Sequence, residues 1–346
     1  MDTPGPRAAE ALPSSWPTVA RTVVLLTALV SVLLTAFAWP SVRSHVHDVP
    51  IAVAGPPAAV KQVSAALDQR LPDGFAITEV ADTPAAERLI RDREVYGAID
   101  VSSGDPQVIT ASAAGASVAQ TLQGVAAGLG QAQAQGAGKT SPVRDLVALP
   151  ADDPRGAGLA AGALPLVMGG LLAALLLTRL VRGTARRVTG ALASAITGGL
   201  AVAAILQYWL GSLESSYLAN TGAIALAIAA TSLSIIGLES LLGHAGFGLG
   251  AFTMMLIGNP LSGASTAPEM LPGWSGTLGQ LLPPGAGGQL LRSTAFFDGR
   301  GSTHSVLVLA AWLGFGAALC LAGGLSKRRP RLAAAAAGNA AAQPSG

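Results

Sequence analysis

The stretch Val23–Trp39 reads VVLLTALVSVLLTAFAW and carries no charge. A largely polar region follows from Pro40 to Gly158, and the chain turns apolar again between Leu159 and Leu325. A helix needs about 20 mostly apolar residues to cross the hydrocarbon core of a bilayer. Working outward from the first stretch, six segments meet that requirement: Val19–Trp39, Leu159–Val181, Val188–Leu210, Ala219–Leu241, Ala245–Leu261 and Ser305–Leu325. One span followed by five predicts an α-helical integral membrane protein with six transmembrane helices. An extracytoplasmic α/β domain is expected between the first and second.

Composition agrees. Apolar residues make up 51% and charged residues 12%, about half the charge of a soluble globule. The formal charge of +2 is too small to point to nucleic acid, so the lipid bilayer is the expected surrounding partner. Lysine appears only at Lys61, Lys139 and Lys327, and an arginine bias with Ala and Gly richness suggests a GC-rich bacterial genome. Cys320 is the sole cysteine, which rules out an intramolecular disulfide.

Arginine and lysine orient the spans. Arg179, Arg182, Arg186 and Arg187 cluster between the second and third spans, Lys327, Arg328, Arg329 and Arg331 follow the sixth, and Arg7 and Arg21 precede or open the first. Six crossings put these clusters on one side, which the positive-inside rule makes cytoplasmic. The expected layout is a cytoplasmic arm (1–18), a first span (19–39), an outer domain (40–158), a five-helix transmembrane domain (159–325) and a disordered cytoplasmic tail (326–346). Both termini then face the cytoplasm of a bacterial cell, with the chain multi-pass in its plasma membrane. Ala36-Phe37-Ala38 also fits a signal-peptidase site, but the apolar run exceeds a usual signal core, which favours a retained anchor.

The outer domain reads as alternating strands and helices. Ile51–Ala54, Phe75–Val80, Tyr96–Val101 and Gln107–Ala111 read as strands, with Val143–Leu149 as a last one. Ala58–Leu71, Thr83–Arg93 and Ser117–Gln135 read as helices, the second with Thr83 as N-cap, Pro84 at its first position and Glu87 in its first turns. That order favours a layered α/β unit.

Motifs that would carry chemistry are weak. Asp152-Asp153 lacks further acid or metal partners nearby and reads as a solvated turn before the membrane. His45-x-His47-Asp48 offers too few ligands for a metal site. Gly138-Lys139-Thr140 resembles the end of a phosphate loop, but the required earlier glycine is Gln133. No cofactor site, nucleotide site or catalytic set emerges, and the chain does not read as an enzyme. Glu239 is the one ionisable residue well inside a span. Intramembrane carboxylates are functional candidates, while a snorkelling carboxylate, or an interfacial pair with His244 near the cytoplasmic end, is the simpler reading. Between the fifth and sixth spans, Asn259-Pro260, Pro268-Glu269-Met270-Leu271-Pro272, Trp274 and Pro283-Pro284 break apolar runs too short to cross. Residues 260–300 are therefore expected to form a re-entrant segment shielded by protein.

Several of these features together resemble the type-2 ABC transporter permease superfamily, especially its phage-infection-protein branch in actinobacteria. The resemblance rests on the one-plus-five span order, the strand Val95-Tyr96-Gly97-Ala98-Ile99-Asp100-Val101, and the loop Leu149-Pro150-Ala151-Asp152-Asp153-Pro154-Arg155-Gly156 leading into the second span. It also rests on the Pro-rich stretch from Ser262-Gly263 to Leu282-Pro283-Pro284, and it covers nearly the whole chain. It implies an exporter permease working as a homodimer or with a second permease. A separate ABC ATPase would supply ATP hydrolysis and dock on the loop carrying Arg179, Arg182, Arg186 and Arg187. The uncharged lining of the spans suits a hydrophobic or amphiphilic substrate. One departure stands out: family members carry a longer cytoplasmic loop between spans two and three. The alternative is a membrane scaffold or receptor, a secretion accessory that acts through its outer domain without transport.

Overall fold

The computed structural model describes residues 15–104, 106–133 and 142–341. Helix α1 spans Trp16–Arg43 and stands apart from the rest, with its apolar side chains exposed around its circumference. Lipid would satisfy such a surface. Only Pro40, within its last turns, is buried.

The α/β domain, the outer domain of the expected layout, comes next. Strands β1 (Val49–Ala54), β2 (Phe75–Val80), β3 (Gly97–Asp100), β4 (Gln107–Thr110) and β5 (Val143–Asp145) form one sheet in the order β2-β1-β3-β4-β5. β1 runs parallel to β2 and β3, β4 is antiparallel to β3, and β5 is parallel to β4. Helices α2 (Pro57–Arg70) and α3 (Thr83–Arg91) make the crossovers, and α4 (Ala116–Gln133) links β4 to β5. Val49, Ile51, Ile99, Val108 and Leu122 fill one side of the sheet, and Ala52, Ala98, Ile109 and Ile90 fill the other. The layered α/β expectation is therefore met. The last strand stops at Asp145 rather than Leu149, although Leu146 N still donates to the Thr110 carbonyl at 2.8 Å. The N-cap of α3 is Asp82, whose carboxylate accepts from Ala85 N at 2.8 Å. Thr83 sits one position inside, because its hydroxyl donates instead to the Asp100 carboxylate.

Four further helices are long and apolar enough to cross a membrane: α5 (Ala157–Leu180), α6 (Thr184–Ala204, extended by a π-type turn to Trp209), α7 (Tyr217–Leu242) and the first part of α11 (Thr303–Ala341). With α1 they make five such helices among the described residues. α7 is the axis of the bundle, and its small residues let neighbours come close. A Cβ added at Gly237 would sit 2.6 Å from the Gly316 carbonyl oxygen of α11. Ser234 and Ser240 donate across the same contact to the Trp312 and Leu319 carbonyls, both at 3.0 Å. Close backbone approach with hydrogen-bonded hydroxyls is how helices associate where lipid removes the hydrophobic drive.

The expected fifth span takes a different form. α8 (His244–Phe252) continues as a π-type turn to Gly258, and about 15 residues rise only about 22 Å, short of a hydrocarbon core about 30 Å thick. Asn259-Pro260 ends it, and an irregular stretch carries the chain on to Met270 beside the outer domain, where the His45 amide donates to the Met270 carbonyl. α9 (Ser275–Gln280) and α10 (Pro283–Phe296) complete the segment. Beyond Leu325, α11 does not stop where a structureless tail was expected but continues to Ala341. An alanine-rich run is a strong helix former. Gly138-Lys139-Thr140 and most of the N-terminal arm lie outside the described residues.

Candidate functional site

The region expected to be re-entrant dips into the bundle and returns. Its lower turn lies deep: Trp312 Nε1, in the third turn of α11, donates to the Leu281 carbonyl at 2.8 Å. A Cβ at Gly287 would meet Ala227, in the third turn of α7, at 2.8 Å. Pro283 and Pro284 open α10, where their missing N–H groups cost nothing. Gln280 Nε2 donates to the Ser262 carbonyl at 2.9 Å and ties the descending limb to the preceding stretch. Pro268 and Glu269 form a single 3₁₀ turn above, and Pro272 follows it. Asn259 and Pro260 line a groove beside the outer end of α1.

Both shoulders of this hairpin are bolted to the outer domain. On one side, Tyr96 Oη donates to Glu269 Oε2 at 2.8 Å, and Ser117 Oγ donates to Met270 Sδ at 3.5 Å. On the other, Arg93 donates through Nη1 to the Gln289 carbonyl at 3.0 Å and to the Ser293 hydroxyl, and through Nη2 to Gln289 Oε1 at 2.6 Å. Its guanidinium also lies 5.2 Å from the centroid of the Phe297 ring, a cation–π distance. Phe297 is itself buried in the outer-domain core with Ala52, Ile90 and Val95. The end of α10 thus completes the core on that side of the sheet.

Burial dominates the electrostatics here. It lowers the Arg93 guanidinium to about 10, with the charge of Arg292 adding and Tyr96 and Glu269 opposing. Arg93 therefore stays protonated at neutral pH. Burial, then the Glu269 carboxylate, pushes the Tyr96 phenol upward, so the phenol is a hydrogen-bond donor and not a titrating group. Burial works against ionisation of Asp100, but hydrogen bonds from Ser102 and Thr83 outweigh it and hold the carboxyl below its usual range.

At the far end of the bundle the arginine cluster divides. Arg179, Arg182 and Arg186 are exposed. Arg187 is not free: Nη1 pairs with Glu239 Oε2 at 2.9 Å, while Nε and Nη2 donate to the Val181 and Thr178 carbonyls, both at 2.8 Å. The expected Glu239–His244 pair is thus replaced by a pair with Arg187, because the tight α5–α6 turn brings the guanidinium under Glu239. His244 begins α8 and is exposed. Asp153, read as part of a solvated turn, is buried and caps α5, accepting from the Ala157 and Gly158 amides at 2.7 and 2.8 Å. Asp152 is exposed. Among the described residues no three His, Cys, Asp or Glu side chains converge as metal ligands, and the rings of His45 and His47 lie tilted to each other with centroids 5.7 Å apart.

Arg93, Tyr96, Gln289 and Ser293 escaped sequence reasoning because the contacts join residues up to 200 positions apart. Arg292 carried a signal that could have been used: it directly follows the apolar pair Leu290-Leu291 inside the segment expected to be re-entrant, where a charge is a functional candidate. No protein-family model, curated protein or solved structure matches the chain.

Proposed function

We propose that the chain is the permease subunit of an ABC-type exporter, moving a hydrophobic or amphiphilic substrate with the help of a separate ATPase. The observation that carries this reading is the hairpin 268–297, which enters the bundle from the outer-domain side and is gripped at both shoulders by Arg93 and Tyr96. A helix bundle that served only as an anchor needs no proline-broken, non-spanning segment in its interior. A substrate path that opens and closes needs one, linked to an outer domain that can move it. The exposed Arg179, Arg182 and Arg186 lie at the opposite end from the outer domain, which supports a cytoplasmic docking face there. In the same reading α8 and the irregular stretch after it complete the fifth of six crossings, and two copies of the chain face each other in the membrane.

The scaffold reading has its own support. Only Val181–Gly183 separates α5 from α6, and Arg187 closes that turn, so this turn projects no coupling helix toward an ATPase.

Purification of the tagged full chain from its native membrane separates the two. Co-purification of an ATPase whose hydrolysis rises severalfold with this chain in vesicles is the expected result. An ATPase-free preparation, with loss of the cellular phenotype on deleting residues 49–150 alone, would instead establish the scaffold.

A further inference from the structure

Arg292 is the most anomalous charge in the molecule. It lies on α10 and is 8% exposed. Among the described residues its sole hydrogen bond is a long 3.5 Å contact from Nη2 to the Ala264 carbonyl. Its Nε has no partner, and no described carboxylate pairs with it. A buried guanidinium left this way costs several kcal/mol, a cost that a bound anion would offset. Nearby carboxylates are otherwise engaged: Glu269 holds the Tyr96 hydroxyl, and Asp153 caps α5.

Arg292 lines a cavity of about 120 Å³ at the junction of outer domain and bundle, together with Ser112, Ala116, Arg155, Leu159 and Thr266. Arg155 is exposed at its rim, without an ion pair among the described residues. The first turn of α4 begins in its wall at Ala116, adding the positive end of a helix dipole and amides free of intrahelical partners. The two charged side chains that line this space, Arg155 and Arg292, are both cations. The stretch Ala264–Thr266 separates the cavity from a second one of about 330 Å³, bordered by Phe37 and Pro40 of α1, Ala163 and Leu164 of α5, and Leu271. That groove lies between two membrane helices, and α1 packs so sparsely that the side is open to lipid.

We propose that these adjoining spaces form one site for an anionic amphiphile: its phosphate or carboxylate headgroup sits against Arg292 and Arg155, and its chain lies in the groove between α1 and α5. The cationic part is at the level of the outer membrane surface, where headgroups reside, and the groove runs toward the bilayer. The assignment names a substrate class for the permease and rests on that reading only for the movement of the bound molecule. Binding itself is measured without it.

The test uses the full chain in nanodiscs of phosphatidylcholine. Pyrene-chain phosphatidylglycerol is titrated in, with inorganic phosphate as competitor and pyrene-chain phosphatidylcholine as the uncharged control. Expected is a saturable preference for phosphatidylglycerol of about tenfold or more. It should fall at least tenfold in Arg292→Gln and severalfold in Arg155→Gln, and millimolar phosphate should not displace it. Arg155 is exposed, so Arg155→Gln tests the site even if Arg292→Gln fails to fold. Equal binding of the two lipids, or unchanged binding in both folded variants, overturns the site. Phosphate binding that competes fully with the lipid overturns the amphiphile in favour of a small anion. Selective binding with no movement of the lipid in reconstituted vesicles leaves the site standing and counts against the permease.

Discussion

Arg187 Nη1 lies 2.9 Å from Glu239 Oε2, with 18% and 16% of the two side chains exposed. The pair joins the start of α6 to the end of α7, and the remaining Arg187 donors close the end of α5. One side chain thus ties three helix ends together. The arrangement makes Glu239 a structural residue first.

Breaking one partner of such a pair strands the other, at a cost of about 3 kcal/mol or more. Glu239→Gln and Arg187→Gln should each lower the thermal unfolding midpoint in detergent, and the double variant should recover part of the loss. Single variants that melt like the native chain would remove the structural role and reopen a coupling role for Glu239.

The grip of the outer domain on the hairpin is equally open to test. Tyr96→Phe removes the donor to Glu269 and should cost about 1–3 kcal/mol, while Arg93→Ala removes the hydrogen bonds to Gln289 and Ser293 and the stacking on Phe297. Hydrogen exchange over residues 268–297 should quicken in both variants, more in Arg93→Ala, with α7 unaffected. If protection in that hairpin is unchanged, the contacts do not hold it.

How far each feature was legible in the sequence depends on the reach of its signal. Hydropathy located α1, α5, α6, α7 and the start of α11 to within a few residues, because burial in lipid demands a long uncharged run whatever the packing. Strand and helix order in the outer domain was legible from alternation and from the Thr83-Pro84 start of the second helix. The N-cap of α3 was placed one residue late at Thr83, since Asp82 and Thr83 are both good caps and only the distant Asp100 decides between them. The proline pattern at Pro260, Pro268, Pro272 and Pro283 marked the hairpin, while its partners Arg93 and Tyr96 lie far away in sequence and carry no local mark. Arg187 looked like one member of a cytoplasmic cluster, because nothing in the run Arg179–Arg187 separates the residue that turns inward from those that stay exposed.

The α7–α11 crossing should tolerate no bulk. Gly316→Leu would drive a side chain into the Leu233 backbone, where even a Cβ would lie 2.5 Å away. Overpacking of this kind costs about 1–3 kcal/mol or more. Monodisperse yield in detergent should drop sharply, whereas Gly314→Leu on the same helix, with no atom within 4 Å of an added Cβ, should behave as the native chain. Equal yields from the two variants would mean that the helices do not cross there.

The outer domain should weaken in acid. A hydrogen bond from Arg144 holds the Glu87 carboxyl below its usual 4.5, burial opposes this, and Arg91 adds a second hydrogen bond. A carboxyl with a lowered folded value stabilises fully above its unfolded value, near 4.5, and the contribution disappears as pH falls through the folded value. Exchange of the α3 and β5 amides, corrected for intrinsic rates, should therefore rise below about pH 4.5 in the native chain. Glu87→Gln should exchange faster at neutral pH with a flatter profile, and parallel profiles would remove Glu87 as the cause.

Orientation and crossing number are decided together by thiol labelling in intact cells. Cys320 is buried on α11 and is replaced by alanine for the purpose. Asp152→Cys, beside the outer domain, and Trp274→Cys, whose native side chain is 70% exposed on the hairpin, should react with a membrane-impermeant maleimide from outside. Arg182→Cys, at the α5–α6 turn, and His244→Cys, at the start of α8, should react only after permeabilisation. The contrast between positions 244 and 274 is the informative one. α8 is too short to cross alone, so opposite labelling of these two positions means that the irregular stretch from Asn259 to Met270 completes the passage. If both label from the same side, α8 is itself a re-entrant element, the chain crosses five times, and its two termini face opposite sides of the membrane.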